Sequence, residues 1–295
     1  MSAYLFFEGT IALPKTGRVT QLRAAVPERI AGTQVESEEA KFFFGELFEL
    51  TGLPRGAYRL SFLQRRLAAC LRFLQVHEVG PAIAKLRQSP EARMEILNAV
   101  LLGVTDFYRD QDVFEQTRKV LSDAWRLAQG KIRVWSAACS DGQELYSMAS
   151  LMAEMGFLPQ AELCGTDFRA DAIHRAQAGR YRHEEMERLP ERVRAAHFRR
   201  DGMGAFIRQD LQDVIRWKQA DLFAGAESGP WHLILWRNMA IYLEREAAYP
   251  VWQSLVAELR PGGYLMVGKA DYPPPGLGLI RVAPCLYQKK GKHGK

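Results

Sequence analysis

The 295-residue chain has few of the patterns that would tie it to a metal, a disulfide scaffold or a membrane. Its four cysteines, Cys70, Cys139, Cys164 and Cys285, are scattered, with no Cys-x-x-Cys pair and no Cys/His cluster. That spacing argues against a zinc site and a disulfide framework, and fits a reducing cytoplasm. No apolar run approaches the ~18–20 residues needed to cross a bilayer, so membrane insertion is not expected. The opening MSAYLFFEGTIALPKTGR carries Glu8 early and lacks a leading basic region, which disfavours a secretory signal. There is no internal repeat and no low-complexity tract. Two phosphate-binding signatures are missing as well: the three-glycine dinucleotide fingerprint and the G-x-x-x-x-G-K-S/T loop. Without them a diphosphate ligand is disfavoured.

What is present is ordinary for a soluble globular chain, 47% hydrophobic and 25% charged residues, enough for one large or two modest domains. The formal charge of +6 suggests an acidic partner, although an arginine-rich surface would give the same value. Residues 1–36 are broken by Gly9, Pro14, Gly17 and Pro27 and stay unassigned as an N-terminal extension. Residues 37–103 carry helical patterns throughout and read as a small all-α domain. From residue 104 to 295, strand-like and helix-like segments alternate, which predicts an α/β domain with a mostly parallel sheet. Within the helical region, Leu60, Leu63, Leu67, Leu71 and Leu74 form one apolar stripe. At ~100° per residue Arg65 and Arg72 project from the opposite face, with Arg59 and Arg66 flanking the stripe. This basic face is either simply solvated or built to dock on an acidic helical partner.

The segment WSAACSDGQELYS, residues 135–147, lies between the strand-like KIRVW and a helical run. Ligands of open α/β sheets bind beyond the carboxyl ends of the strands. Here those ends carry polar residues in register. Gly142 would let the backbone approach a ligand, and Glu144 falls in the first helical turn. Asp167, some 25 residues beyond Gly142, stands where two ribose hydroxyls are usually accepted. Asp221 follows the next strand, at a place from which an adenine amino group could be read. An adenosine-bearing ligand without phosphate fits this set, and S-adenosylmethionine is such a ligand.

Taken together, the motifs resemble the CheR-type chemoreceptor glutamate methyltransferases. TDFYRD (105–110) resembles that family's T-x-F-F-R-E/D, and WSAACSDGQELYS its WSAACSTGEEPYS. GTDFRADAIHRAQAGRY, LILWRNMAIYL and LRPGGYLMVGKAD match its later motifs in order, so the likeness spans roughly residues 40–288. The resemblance implies a Rossmann-like S-adenosylmethionine-dependent methyltransferase domain after a small all-α domain, releasing S-adenosylhomocysteine. It assigns Thr105 and Arg109 to the cleft lining. Glu144, Asp167, Asp221, Leu222, Asn238 and Met239 fall on cofactor-binding positions, together with Ala138 and Gly142 of the turn. Arg109 and Tyr242 become the catalytic pair, and Arg59, Arg65, Arg66 and Arg72 become docking residues for a chemoreceptor cytoplasmic domain. The family also implies an inserted antiparallel β-subdomain at about 180–219, and there GAFIRQ and DVIRWK read as two such strands around DLQ.

The chain departs from the family at several positions. Gln143 replaces a Glu, Leu145 a Pro, Trp236 a Cys, His232 an Asp, Lys269 a His and Asp271 a Glu. Three other functions stay open: a methyltransferase with a different protein or small-molecule acceptor, a non-catalytic S-adenosylmethionine-binding signalling module, and a nucleic-acid methyltransferase. The last lacks a D/N/S-P-P-Y/F signature, so nucleic acid is not expected as a partner. Retention of both Arg109 and Tyr242 argues against the module.

Overall fold

The computed structural model describes residues 34–101, 105–126, 130–187, 189–202 and 204–291. The expected extension therefore lies outside the described residues as far as residue 33, and its last three residues belong to a helix. The chain divides into two compact units, Met1–Val104 and Thr105–Lys295.

The first unit contains α1 (Gln34–Thr51), α2 (Leu60–Phe73), α3 (Val79–Gln88) and α4 (Pro90–Leu101). Aromatic side chains form a continuous seam between α1 and α2. Phe43 meets Phe44 edge-on at 5.0 Å, and Phe48 lies 5.2 Å from Tyr58. All four are buried. The expected leucine stripe of α2 is shifted. Phe62, Leu63, Leu67 and Cys70 are buried on the helix and Leu74 just after it, whereas Leu60 and Leu71 are only half-buried. Phe62 and Cys70 are buried where Leu60 and Leu71 were expected, so the buried face is turned by part of a turn. Arg59, Arg65 and Arg72 are exposed, and half-buried Arg66 lies over the Phe62 ring at 5.5 Å.

The second unit opens with α5 (Gln111–Arg126), β1 (Ile132–Ala137), α6 (Gln143–Glu154), β2 (Ala161–Asp167) and α7 (Ala170–Ala178). An insertion follows: β3 (Arg180–Arg182), α8 (His183–Met186), α9 (Glu191–His197), β4 (Phe198–Asp201), β5 (Gly204–Ile207) and α10 (Gln209–Asp213). The main fold resumes with β6 (Ile215–Gln219), β7 (Trp231–Trp236), α11 (Arg245–Glu258), β8 (Leu259–Val267), β9 (Leu279–Ala283) and β10 (Leu286–Lys289). The large sheet has the order β6-β2-β1-β7-β8-β10-β9. Its first five strands pair in parallel, and β10 runs antiparallel to both neighbours. Strands β1, β2 and β7 are buried almost along their whole length, as parallel strands covered on both faces must be. This is a Rossmann-like doubly wound arrangement, with its switch point between β1 and β7.

One strand assignment is corrected. The small antiparallel sheet is β3-β5-β4, built from RYR, GAFI and FRRD. DVIRWK does not join it: β6 pairs in parallel with β2, from Leu163↔Ile215 to Asp167↔Gln219. The reason is packing. The Trp217 ring lies over Gly165, where an added Cβ would come within 2.4 Å of it, so the tryptophan is seated on the main sheet.

Candidate active site

Three residues of the turn after β1 have left-handed backbones: Ala138 (φ 61°), Ser140 (φ 51°) and Gly142 (φ 91°). For the two non-glycine residues this costs roughly 1–2 kcal/mol each, so the surroundings must hold them there. The end of β2 does so through two bonds: Cys139 N donates to Thr166 O (2.8 Å) and Ser140 N to Asp167 Oδ2 (2.8 Å). The inserted sheet adds a third, from the Tyr181 hydroxyl to the Asp141 carbonyl (2.7 Å). Gly142 is required twice over. Its φ suits glycine, and a Cβ there would stand 2.9 Å from both Ala176 Cβ and the Trp217 ring.

Two carboxylates flank this turn. Glu144 accepts from the Ser136 hydroxyl (2.8 Å) and from Arg237 Nη1 (3.3 Å). Burial pushes its pKa up, while the Arg237 charge and the Ser136 hydroxyl pull against that shift. Asp167 is buried and pairs with buried Arg169, whose Nη2 also reaches the Ser140 hydroxyl (3.0 Å). Its backbone carbonyl accepts from Ala220 N (3.0 Å), which places Asp221 and Leu222 beside it, both half-buried. Asp221 Oδ1 accepts from Phe223 N (2.8 Å) in a local turn.

Arg237 joins the remaining pieces. Its fully buried guanidinium donates through Nη2 to the Arg109 carbonyl (2.7 Å) and to Asp110 Oδ2 (2.9 Å), while Nη1 holds Glu144. The loop bearing half-buried Thr105 and Arg109 is thereby tied to α6. Tyr108 N adds a bond to the Ser147 hydroxyl of α6 (2.9 Å). Beyond Arg237, the turn carrying Asn238, Met239 and Tyr242 is anchored by buried Asp271, which accepts from the backbone N–H groups of Asn238, Gly268 and Ile241. Burial raises the Asp271 pKa, and those three N–H groups oppose the rise. Lys269 reaches Asp112 (2.8 Å) and Asp110 (3.6 Å), so it extends the same charge network.

Direct bonds thus join the 138–142 turn to Asp167, and Glu144 to the Arg109 loop through Arg237, with the Asp221 and Asn238–Tyr242 turns adjoining. Arg59, Arg65, Arg66 and Arg72 lie on or beside α2 in the other unit. Sequence reading missed Arg237, Arg169, Ser136 and Tyr181 as parts of this site. Only the first two carried a local signal, a charge within two residues of the end of a buried strand. The departures also find places. Gln143 donates to Glu185 of α8 (3.4 Å), Leu145 is core, and Trp236 packs 4.3 Å from Trp252 of α11, so the helix takes up its bulk.

The model of the CheR methyltransferase, SAM binding domain, matches residues 103–274, more than half of the chain. The chain belongs to this family. It is 28% identical over 241 residues to a chemotaxis protein methyltransferase of Listeria monocytogenes, covering 81% of this chain and 92% of that protein. A chemotaxis protein methyltransferase of Klebsiella aerogenes is 28% identical, with 76% and 80% covered. That of Escherichia coli K12 is 27% identical, with 76% and 81% covered.

As in this family, the cofactor is S-adenosylmethionine, and the site's chemistry suits it. Past the strand ends, Asp167 paired with Arg169, Glu144 paired with Arg237 and half-buried Asp221 offer acceptors and donors that suit the hydroxyl and amino groups of such a ligand. Among the described residues no helix is long and apolar enough to cross a membrane, and no three His, Cys, Asp or Glu side chains are grouped to hold a metal ion.

Proposed function

We propose that this protein methylates glutamate side chains on the cytoplasmic domains of chemoreceptors, forming methyl esters. The observation that carries this reading is the Arg237 clamp, which ties the Arg109 loop to the Glu144 carboxylate at the strand-end cleft. When bound, S-adenosylmethionine supplies a methyl group on positively charged sulfur. A glutamate side chain, with a pKa of ~4.3, is already ionised at neutral pH, so no strong base is needed. The protein's task is to position an anion against a cation. Arg109 offers its fork of donors to the acceptor carboxylate, and Tyr242 adds a directed hydroxyl. Thr105, Ala138, Gly142, Glu144, Asp167, Asp221, Leu222, Asn238 and Met239 hold the cofactor.

The helical unit serves as the docking module in this reading. Exposed Arg59, Arg65 and Arg72, with Arg66 beside them, face an acidic helical receptor in the cytoplasm. The names of the three relatives above, each a chemotaxis protein methyltransferase, support a chemosensory protein as substrate. The test is incubation with methyl-labelled S-adenosylmethionine and receptor cytoplasmic domains. Base-labile label on the receptor is the expected result. Labelling of some other protein or small acid instead would replace the acceptor, and tight cofactor binding without any transfer would favour a non-catalytic module.

A further inference from the structure

The Asp167 carboxylate is mostly engaged within the protein. Oδ1 accepts from both Arg169 N (3.0 Å) and Arg169 Nε (3.1 Å), and Oδ2 accepts from Ser140 N (2.8 Å). A carboxylate has about four lone-pair sites, so one acceptor site remains, on Oδ2. It cannot read both hydroxyls of a ribose in the way expected of it from sequence. The facing guanidinium is also incomplete. Arg169 Nε binds Asp167 and Nη2 binds the Ser140 hydroxyl, but Nη1 is buried and has no partner among the described residues. A charged, desolvated donor without an acceptor is rare in a folded protein and calls for an explanation.

The location supplies one. Ser140 belongs to the turn after β1 and Asp167 ends β2, so the ion pair bridges the carboxyl ends of adjacent strands, where ligands of such sheets bind. One open acceptor and one open donor within a single ion pair suit a vicinal diol, in which one hydroxyl donates and its neighbour accepts. We infer that Arg169 is a second ribose-binding residue: Asp167 Oδ2 accepts from one hydroxyl of the cofactor, and Arg169 Nη1 donates to the other. The inference rests on the cofactor assignment above and divides between two side chains a role expected of Asp167 alone.

The two halves of such a site respond oppositely to a cationic amine. Calorimetry on the full chain would compare S-adenosylhomocysteine with its 2′-amino-2′-deoxy and 3′-amino-3′-deoxy analogues, at mildly acidic pH where the sugar amines carry a proton. The amine facing Asp167 keeps its bond, and the one facing Arg169 meets a like charge. One analogue should therefore bind within a few-fold of the parent while the other falls at least tenfold, the usual scale for a lost hydrogen bond to a charged group. Both analogues binding well, as a carboxylate reading both hydroxyls requires, overturns the inference, and so does an equal loss for both. In Arg169→Met, affinity for S-adenosylhomocysteine should fall about tenfold. Removing the Arg169-facing hydroxyl from the ligand should then cost the variant nothing more, whereas removing the other still should. Tighter binding by Arg169→Met would mean that Arg169 shields Asp167 and would overturn the inference. A wild type that binds no S-adenosylhomocysteine would overturn the cofactor assignment itself, a result distinct from binding without discrimination.

Discussion

Arg109 and Arg237 divide the work of one loop. Arg109 is half-buried and is read as the acceptor-facing group; Arg237 is buried and acts only through others, as a positioning residue. Arg109→Lys keeps the charge but loses the fork, and Arg109→Ala loses both. Misplacement of ~1 Å can slow a reaction on the order of 100-fold, so turnover should fall by about that much in Arg109→Lys and further in Arg109→Ala. Tyr242→Phe, lacking one hydroxyl, should lose less. Single-turnover kinetics beside cofactor titration checks this, since the losses should appear in rate and not in cofactor affinity. Wild-type turnover in Arg109→Ala would remove it from the mechanism. Arg237→Met behaves differently. It strands Glu144 and Asp110, and removing one partner of a buried pair costs about 3–5 kcal/mol. Arg237→Met should therefore lose both stability and turnover, and Arg237→Lys should recover more of the stability than of the rate. Thermal melts beside kcat separate the two readouts.

At the scale of elements, the strained turn after β1 is held from β2 on one side and from the inserted sheet on the other. Gly142→Ala forces a side chain into a left-handed position with neighbours at 2.9 Å. A loss of about 2 kcal/mol or more in chemical denaturation, with weakened cofactor binding, is expected. Stability also has a pH handle between β1 and β7. His232 accepts from Arg133 N (3.1 Å) with Arg260 2.7 Å from its other ring nitrogen, and burial plus the two arginines lowers its pKa from 6.5 to about 4. The folded protein keeps this imidazole neutral, whereas the unfolded chain protonates it below about 6.5. Its contribution is therefore intact above pH 6.5 and is lost as the pH falls toward 4. Melting temperatures measured across that window should fall more steeply for the wild type than for His232→Asn; parallel curves would refute it. These elements also mark what was legible in advance. The α-then-α/β order, the parallel sheet and the strand-end carboxylates follow from periodicity and motif spacing, which are local. The edge strand Ile215–Gln219 and the Arg237 clamp do not. Each depends on which distant surface, Gly165 beneath Trp217 or the Arg109 carbonyl, waits across the fold. The shift of the α2 stripe from Leu60 and Leu71 to Phe62 and Cys70 is the same kind of miss, because which of two adjoining helical faces is covered depends on the helices packed against it.

At the scale of the whole molecule, a net charge of +6 does not distinguish a docking face from a basic surface in general. Exposed Arg65 and Arg72 can be tested against a control of equal charge. If α2 docks on an acidic receptor, reversing both to Glu replaces two attractive contacts with repulsions. Exposed pairs are worth about 0.2–1 kcal/mol each, so the receptor KM should rise on the order of tenfold. Cofactor affinity should stay unchanged. Reversing Lys119 and Arg126, both exposed on α5, changes the net charge by the same amount in a different place. If only total charge matters, the two double variants will match. If α2 docks on the receptor, only the first will raise KM, and added salt should bring the wild type toward it, because exposed charges are screened over a Debye length of ~10 Å at 0.1 M. In the Arg65 and Arg72 variant the same salt should have little further effect, since the contacts it screens are already gone. Salt-independent methylation by the wild type, or equal KM values for the two double variants, would leave α2 a solvated face and move receptor recognition to another surface.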